Sequence, residues 1–153
     1  MSLSVGDRAP EFSLPDQDKQ VISLADLRGT PVLLVFYPFA FSGICTGELC
    51  RLRDELTTYT DAGVKVFAIS TDPVFSLKAF KAQENFDFAL LSDFWPHGVV
   101  AQAYGAFNEK AGMALRATFL VDAGGKVTFA EVNSPGDVRE QSGWKDAVAK
   151  LAA

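Results

Sequence analysis

Residues 31–37, Pro31-Val32-Leu33-Leu34-Val35-Phe36-Tyr37, form a near-continuous apolar run rich in β-branched side chains. A strand without alternating polar positions has to be covered on both faces. The chain must therefore build a layer on each side of a central sheet. Val64-Lys65-Val66-Phe67-Ala68-Ile69-Ser70 and Thr118-Phe119-Leu120-Val121 read as further strands. Asp122-Ala123-Gly124-Gly125-Lys126 is a turn signal leading into Val127–Val132, so the last two strands should pair as an antiparallel hairpin. Helical patterns lie between the strands. Leu49, Leu52, Leu56 and Tyr59 recur on one helical face, and Gly63 stops that helix. Asp72-Pro73 starts a second helix over Val74–Glu84, and a third fits Val99–Tyr104. Val138, Trp144, Val148 and Leu151 predict a C-terminal helix within Gly136–Leu151. Phe12 to Leu24 reads as a small hairpin around Pro15-Asp16-Gln17-Asp18. The expected fold class is α/β: a mixed central sheet flanked by helices, with an N-terminal β-hairpin extension.

At 153 residues the expectation is one domain over 1–153. A chain of this length buries about two-thirds of its unfolded surface and needs no disulfide or structural metal to fold. The net charge of −5 leaves no basic footprint for nucleic acid. The longest apolar stretch, Pro31 to Phe41, falls short of the ~20 residues of a spanning helix. Met1 to Arg8 shows no charged segment leading into an apolar core. These features predict a cytoplasmic protein that contacts no membrane. In that compartment the two cysteines, Cys45 and Cys50, are more often catalytic or metal-binding than structural. One distant histidine, His97, and no clustered ligand motif argue against a metal, and no cofactor is expected.

Extending the Leu49 stripe back by four residues reaches Cys45, in the first turn of the helix that follows the first long strand. Unpaired N–H groups and the positive end of the helix dipole stabilise an anion there. A thiol at a helix N-terminus can have its pKa lowered well below the free value of ~8.5. Ser42 is positioned to cap the helix or to donate a hydrogen bond to a thiolate. The same position also suits Cys45 as a small hydrophobe on the core face, and position alone does not choose. Cys50 lies about 140° round the helix, off the leucine stripe and ~7.5 Å further along the axis. A disulfide needs Cα atoms within ~7 Å and facing Cβ vectors. Bridging the two would require the first turns to unwind, which Gly47 makes easier. Otherwise Cys50 is a tolerated, partly exposed thiol.

The segment Pro38-x-x-x-Ser42-x-x-Cys45 resembles the peroxiredoxin active-site motif Pro-x-x-x-Thr/Ser-x-x-Cys. Arg116, just before Thr118-Phe119-Leu120-Val121-Asp122, resembles that family's active-site arginine. Gly6-Asp7-Arg8-Ala9-Pro10-Glu11-Phe12 is similar to the usual peroxiredoxin start, and the likeness runs over nearly the whole chain. Leu91-Ser92-Asp93-Phe94-Trp95-Pro96-His97-Gly98, with Ala103-Tyr104-Gly105, is most similar to the alkyl hydroperoxide reductase E subgroup, which typically works with one cysteine in this helix. Cys45-Thr46-Gly47-Glu48-Leu49-Cys50 instead resembles the bacterioferritin comigratory protein branch, or peroxiredoxin Q, where the cysteine five positions on resolves the first.

The resemblance implies a thioredoxin-like fold and a thiol-dependent peroxidase acting on hydrogen peroxide and organic hydroperoxides. Cys45 would be the peroxidatic nucleophile and would pass through a sulfenic acid. Arg116 would stabilise the thiolate and orient the peroxide, Ser42 would bind peroxide oxygens, and Pro38 would shield the pocket. Cys50 would resolve the sulfenic acid, and a thioredoxin-like or glutaredoxin-like dithiol would reduce the disulfide. Two alternatives stand beside this reading: a one-cysteine peroxidase resolved by an external thiol, and a thiol–disulfide exchange or redox-sensing protein. The absence of Cys-x-x-Cys, and of a proline before Thr118, argues against exchange.

Glu48 reads either as a carboxylate complementing the helix dipole or, by the resemblance, as the partner of Arg116 or Arg139 behind the active site. Arg139 on its own reads as a solvated helix residue, and His97 as structural. Phe39, Phe94 and Trp95 fit either the core or a homodimer interface; the resemblance implies a homodimer.

Overall fold

The computed structural model describes residues 3–134 and 136–151, and for Cys45 the backbone alone. In chain order the elements are β1 (Ser13–Pro15), β2 (Val21–Ser23), β3 (Val32–Phe36), α1 (Gly43–Asp54), α2 (Leu56–Thr60), β4 (Lys65–Ser70), α3 (Val74–Glu84), β5 (Ala89–Ser92), α4 (Val99–Ala103), β6 (Phe107–Asn108), β7 (Met113–Ala114), β8 (Arg116–Val121), β9 (Val127–Asn133) and α5 (Ser142–Leu151). A 3-10 turn covers Leu24–Leu27. The central sheet runs β5-β4-β3-β8-β9. β3, β4 and β5 are parallel to one another, whereas β8 pairs antiparallel with both β3 and β9.

β3 is the central strand, and all five of its residues are buried. Val32, Leu34 and Phe36 pack on one face, with Phe67, Ile69, Phe119, Val100 and Tyr104. Leu33 and Val35 pack on the other, with Leu49, Leu52, Leu77, Phe80 and Trp144. The alternation of strand side chains thus feeds two cores, which is why the run 31–37 carries no polar position. α1, α2, α3 and α5 supply the second core, while α4 and the N-terminal hairpin cover the first.

The N-terminal hairpin also closes one edge of the sheet. Asp16 forms a β-bridge with Leu91, and the buried Gln17 Oε1 accepts the Leu90 N–H at 3.0 Å. An edge strand left open is a template for unwanted pairing.

Three expectations need correction. The helix expected to run from Cys45 towards Gly63 breaks at Glu55, whose backbone (φ −112°, ψ 18°) separates α1 from α2. The break still leaves Tyr59 fully buried, and Gly63 (φ 79°) makes the stop that its sequence position predicts. The C-terminal helix begins at Ser142 rather than near Gly136, and Val138 is 56% exposed instead of lying on the buried stripe. The strand β5 and the short β6–β7 hairpin were not expected. Ala89-Leu90-Leu91-Ser92 is too short a run for periodicity to separate from its surroundings.

Gln17→Ala should leave the buried Leu90 N–H without an acceptor and lower stability by about 1–3 kcal/mol. Urea unfolding of the variant checks this; an unchanged midpoint would show that the edge bond contributes nothing.

Candidate active site

β3 delivers the chain to a loop that is held from β4. Tyr37 N–H donates to Ile69 O at 3.0 Å, and Pro38 is buried immediately after it. Asp72 Oδ2 accepts both the Ala40 N–H (2.8 Å) and the Ser70 hydroxyl (2.7 Å). The Ser92 hydroxyl in turn donates to Asp72 O at 2.6 Å. Phe41 then adopts φ 69°, a left-handed conformation rare for a bulky residue and a form of strain that clusters at functional sites. Its ring lies 4.9 Å from that of Phe80. This sharp turn starts α1: Ser42 O accepts the Thr46 N–H at 2.9 Å, placing Ser42 at the N-cap. Cys45 follows in the first turn of α1, as its spacing predicts, and its side chain lies outside the described residues.

Behind this turn lies a buried ionic cluster. Glu48, one turn along α1, is 3% exposed. Its Oε1 accepts Arg116 Nη1 and Arg139 Nη2, both at 2.7 Å. Its Oε2 accepts the Arg139 backbone N–H at 2.7 Å and Arg139 Nε at 3.2 Å. Arg139 Nη1 reaches Phe36 O (2.7 Å), Ala117 O (2.9 Å) and Thr118 Oγ1 (3.2 Å). Gln141 Nε2 holds Glu48 O at 3.1 Å. Burial raises the Glu48 carboxyl, but the hydrogen bonds and charge of Arg139, with the charge of Arg116, hold it below the usual carboxylate range. Among the described residues, two guanidiniums thus face the one Glu48 carboxylate in the interior, beside the N-terminal half of α1.

Arg139 is not a solvated helix residue. It is 1% exposed and sits in the irregular segment before α5. A helix beginning at 136 is given up so that this side chain and its own N–H can both meet Glu48. Arg116 opens β8 and is 2% exposed. Arg116, Arg139 and Glu48 are therefore brought together, and Glu48 does more than complement the helix dipole. Asp72, Thr118 and Gln141 were not singled out from the sequence. The only local signal was Asp72-Pro73, which reads first as a helix start.

Cys50 lies on another face of α1, half-buried against α3, and its Sγ donates to Glu84 Oε1 at 3.2 Å. Burial first, then the Glu84 hydrogen bond, push its thiol up from the ordinary value. His97 is exposed; its Nε2 is 2.7 Å from Gly112 O, so it ties the 94–98 loop to the β6–β7 turn. Phe39, Phe94 and Trp95 are exposed rather than in the core.

Residues 5–130 match the AhpC/TSA family. The chain belongs to that family. It is a peroxiredoxin, a thiol-dependent peroxidase. It is 52% identical over 152 residues to alkyl hydroperoxide reductase E of Mycobacterium tuberculosis, covering 99% of each chain. It is 42% identical over 131 residues to peroxiredoxin Bcp of Escherichia coli, covering 82% of this chain and 83% of that one. The crystal structure of peroxidoxin BcpB from Mycobacterium tuberculosis superposes with a TM-score of 0.84 at 32% identity, over 98% of this chain and 97% of that one. Such neighbours make the fold thioredoxin-like, as the resemblance implied.

Glu48→Gln removes the charge that compensates two buried guanidiniums and should cost about 3–5 kcal/mol at neutral pH. Because the folded carboxyl titrates below its ordinary value of 4.5, its stabilisation is complete above that value and is lost as pH falls through the lower folded one. Denaturant unfolding of wild type and variant should therefore show a gap that narrows in acid. A gap independent of pH would contradict the assignment.

Proposed function

We propose that Cys45 is the peroxidatic nucleophile of a single-domain enzyme spanning 1–153, that Arg116, Ser42 and Pro38 form its pocket, and that Cys50 resolves the oxidised form. The observation that carries this reading is the Arg116–Glu48–Arg139 cluster, packed beneath the helix turn that contains Cys45. The Arg116 guanidinium and the N–H groups at the start of α1 favour an anion in that turn. Glu48 and Arg139 act by fixing the position of the Arg116 guanidinium.

In this mechanism the Cys45 thiolate attacks one oxygen of hydrogen peroxide or an organic hydroperoxide. The S–O bond forms as the O–O bond breaks. The departing hydroxide or alkoxide takes up the proton that the thiol released on ionising and leaves as water or alcohol, and Cys45 is left as a sulfenic acid. N–H groups at the helix start and the Ser42 hydroxyl stabilise the charge developing on oxygen. Pro38 walls the pocket without offering a competing N–H. The Cys50 sulfur then attacks the Cys45 sulfur, and the sulfenic hydroxyl leaves with the thiol proton as water. A thioredoxin-like or glutaredoxin-like dithiol restores both thiols by exchange. Cys45 and Cys50 share one unbroken helix, so resolution requires the turns between them to open. Exposed Phe39, Phe94 and Trp95 suit a homodimer interface, and the cytoplasm supplies the reducing conditions the cycle needs. Among the described residues no helix is long and apolar enough to cross a membrane.

A second reading, resolution by an external thiol, is favoured by one observation: Cys50 is engaged with Glu84. Cys45→Ser should reduce peroxide consumption to that of buffer, and full turnover in that variant would overturn the site. Mass spectrometry after one equivalent of peroxide separates the two routes. An intramolecular Cys45–Cys50 disulfide is the expected product, and a persistent sulfenic acid would assign resolution to an external thiol.

A further inference from the structure

Cys50 and Arg53 lie one turn apart on the same face of α1, and both contact the last residue of α3. Cys50 Sγ donates to Glu84 Oε1 at 3.2 Å, and Arg53 Nη1 donates to Glu84 O at 2.6 Å. Glu84 Oε2 is held by Gln83 Nε2 at 3.0 Å. The end of α3 is itself fixed: Asn85 closes it in the left-handed conformation, and Lys81 Nζ donates to Phe86 O at 2.6 Å. The clasp thus fastens a helix that has to open to one that has no need to.

We infer that Glu84 is a positioning residue that keeps the Cys50 thiol fastened to α3 and so acts as a brake on disulfide formation. This rests on the reading of Cys50 as the resolving residue. A carboxylate accepts a hydrogen bond from S–H but repels a thiolate. The charged groups acting on Cys50 are Glu84 from α3 and Arg53 and Asp54 from α1. Burial and Glu84 hold the thiol protonated, and Arg53 opposes them. The neutral thiol is a poor nucleophile. Closing the disulfide therefore demands two separate events: release of the S–H···O bond and unwinding of the turns between Cys45 and Cys50. Attack forms the S–S bond, breaks the S–O bond of the sulfenic acid, and sends the Cys50 proton into the departing water. The peroxide is the only oxidant required. The brake prolongs the life of the sulfenic acid.

Glu84→Gln and Glu84→Ala test the clasp. Both are half-buried surface changes with no core side chain removed. In a Cys45→Ser background Cys50 is the only cysteine, so iodoacetamide reports on it alone. Both variants should lower the pH midpoint of alkylation and raise its rate near neutral pH by at least about threefold. A shift in midpoint separates loss of charge from mere loosening of the helix. With Cys45 restored, acid-quenched samples after one equivalent of peroxide should show faster disulfide formation by a similar factor. An unchanged alkylation midpoint overturns the clasp. A lowered midpoint with an unchanged disulfide rate overturns the brake. If neither wild type nor the variants form the disulfide, Cys50 as resolver fails, whereas the alkylation profile still decides the clasp.

Discussion

The Glu48 carboxylate is the one charge that the rest of the structure is arranged around. It gathers α1, the first residue of β8 and the segment preceding α5 into a single buried network. Through Arg139 that network also reaches the carbonyls of Phe36 and Ala117, at a paired position of β3 and β8. Removing three charges from water is costly, and only dense hydrogen bonding offsets it. Each oxygen of Glu48 accepts two such bonds. What the fold gains is a guanidinium, Arg116, whose position does not depend on a flexible surface side chain.

The loop leading into α1 follows the same logic with neutral groups. Asp72 holds the Ala40 N–H from the far side, and the Phe41 backbone takes up a conformation that an isolated chain would avoid. The helix start is thereby set by contacts outside the helix. The turn containing Cys45 is anchored from β4 on one side and from Glu48 on the other.

Much of this architecture is legible in the amino-acid sequence. The unbroken apolar run at 31–37 required a two-sided sheet, and β3 is buried on both faces. The leucine stripe oriented α1, and the family resemblance of the segment before Thr118 singled out Arg116. What could not be read is equally instructive. An arginine in a segment with helical spacing gives no sign that its backbone will unfold to reach a carboxylate 91 positions away, as Arg139 does. Asp72 and Glu84 are ordinary acidic residues until the fold brings Ala40 and Cys50 beside them. Long-range polar pairing leaves no periodic trace, whereas burial of apolar faces does.

Glu48 also sits between the two cysteines in sequence, three residues after Cys45 and two before Cys50. A disulfide joining them would close a short ring that contains Glu48 itself. The backbone of residues 46–49 could not stay helical within that ring, yet the Glu48 side chain is gripped by two arginines. Oxidation would therefore act on the centre of the folded state and not only on its surface. That buried, doubly paired carboxylate would act as a spring returning the reduced helix to its original register.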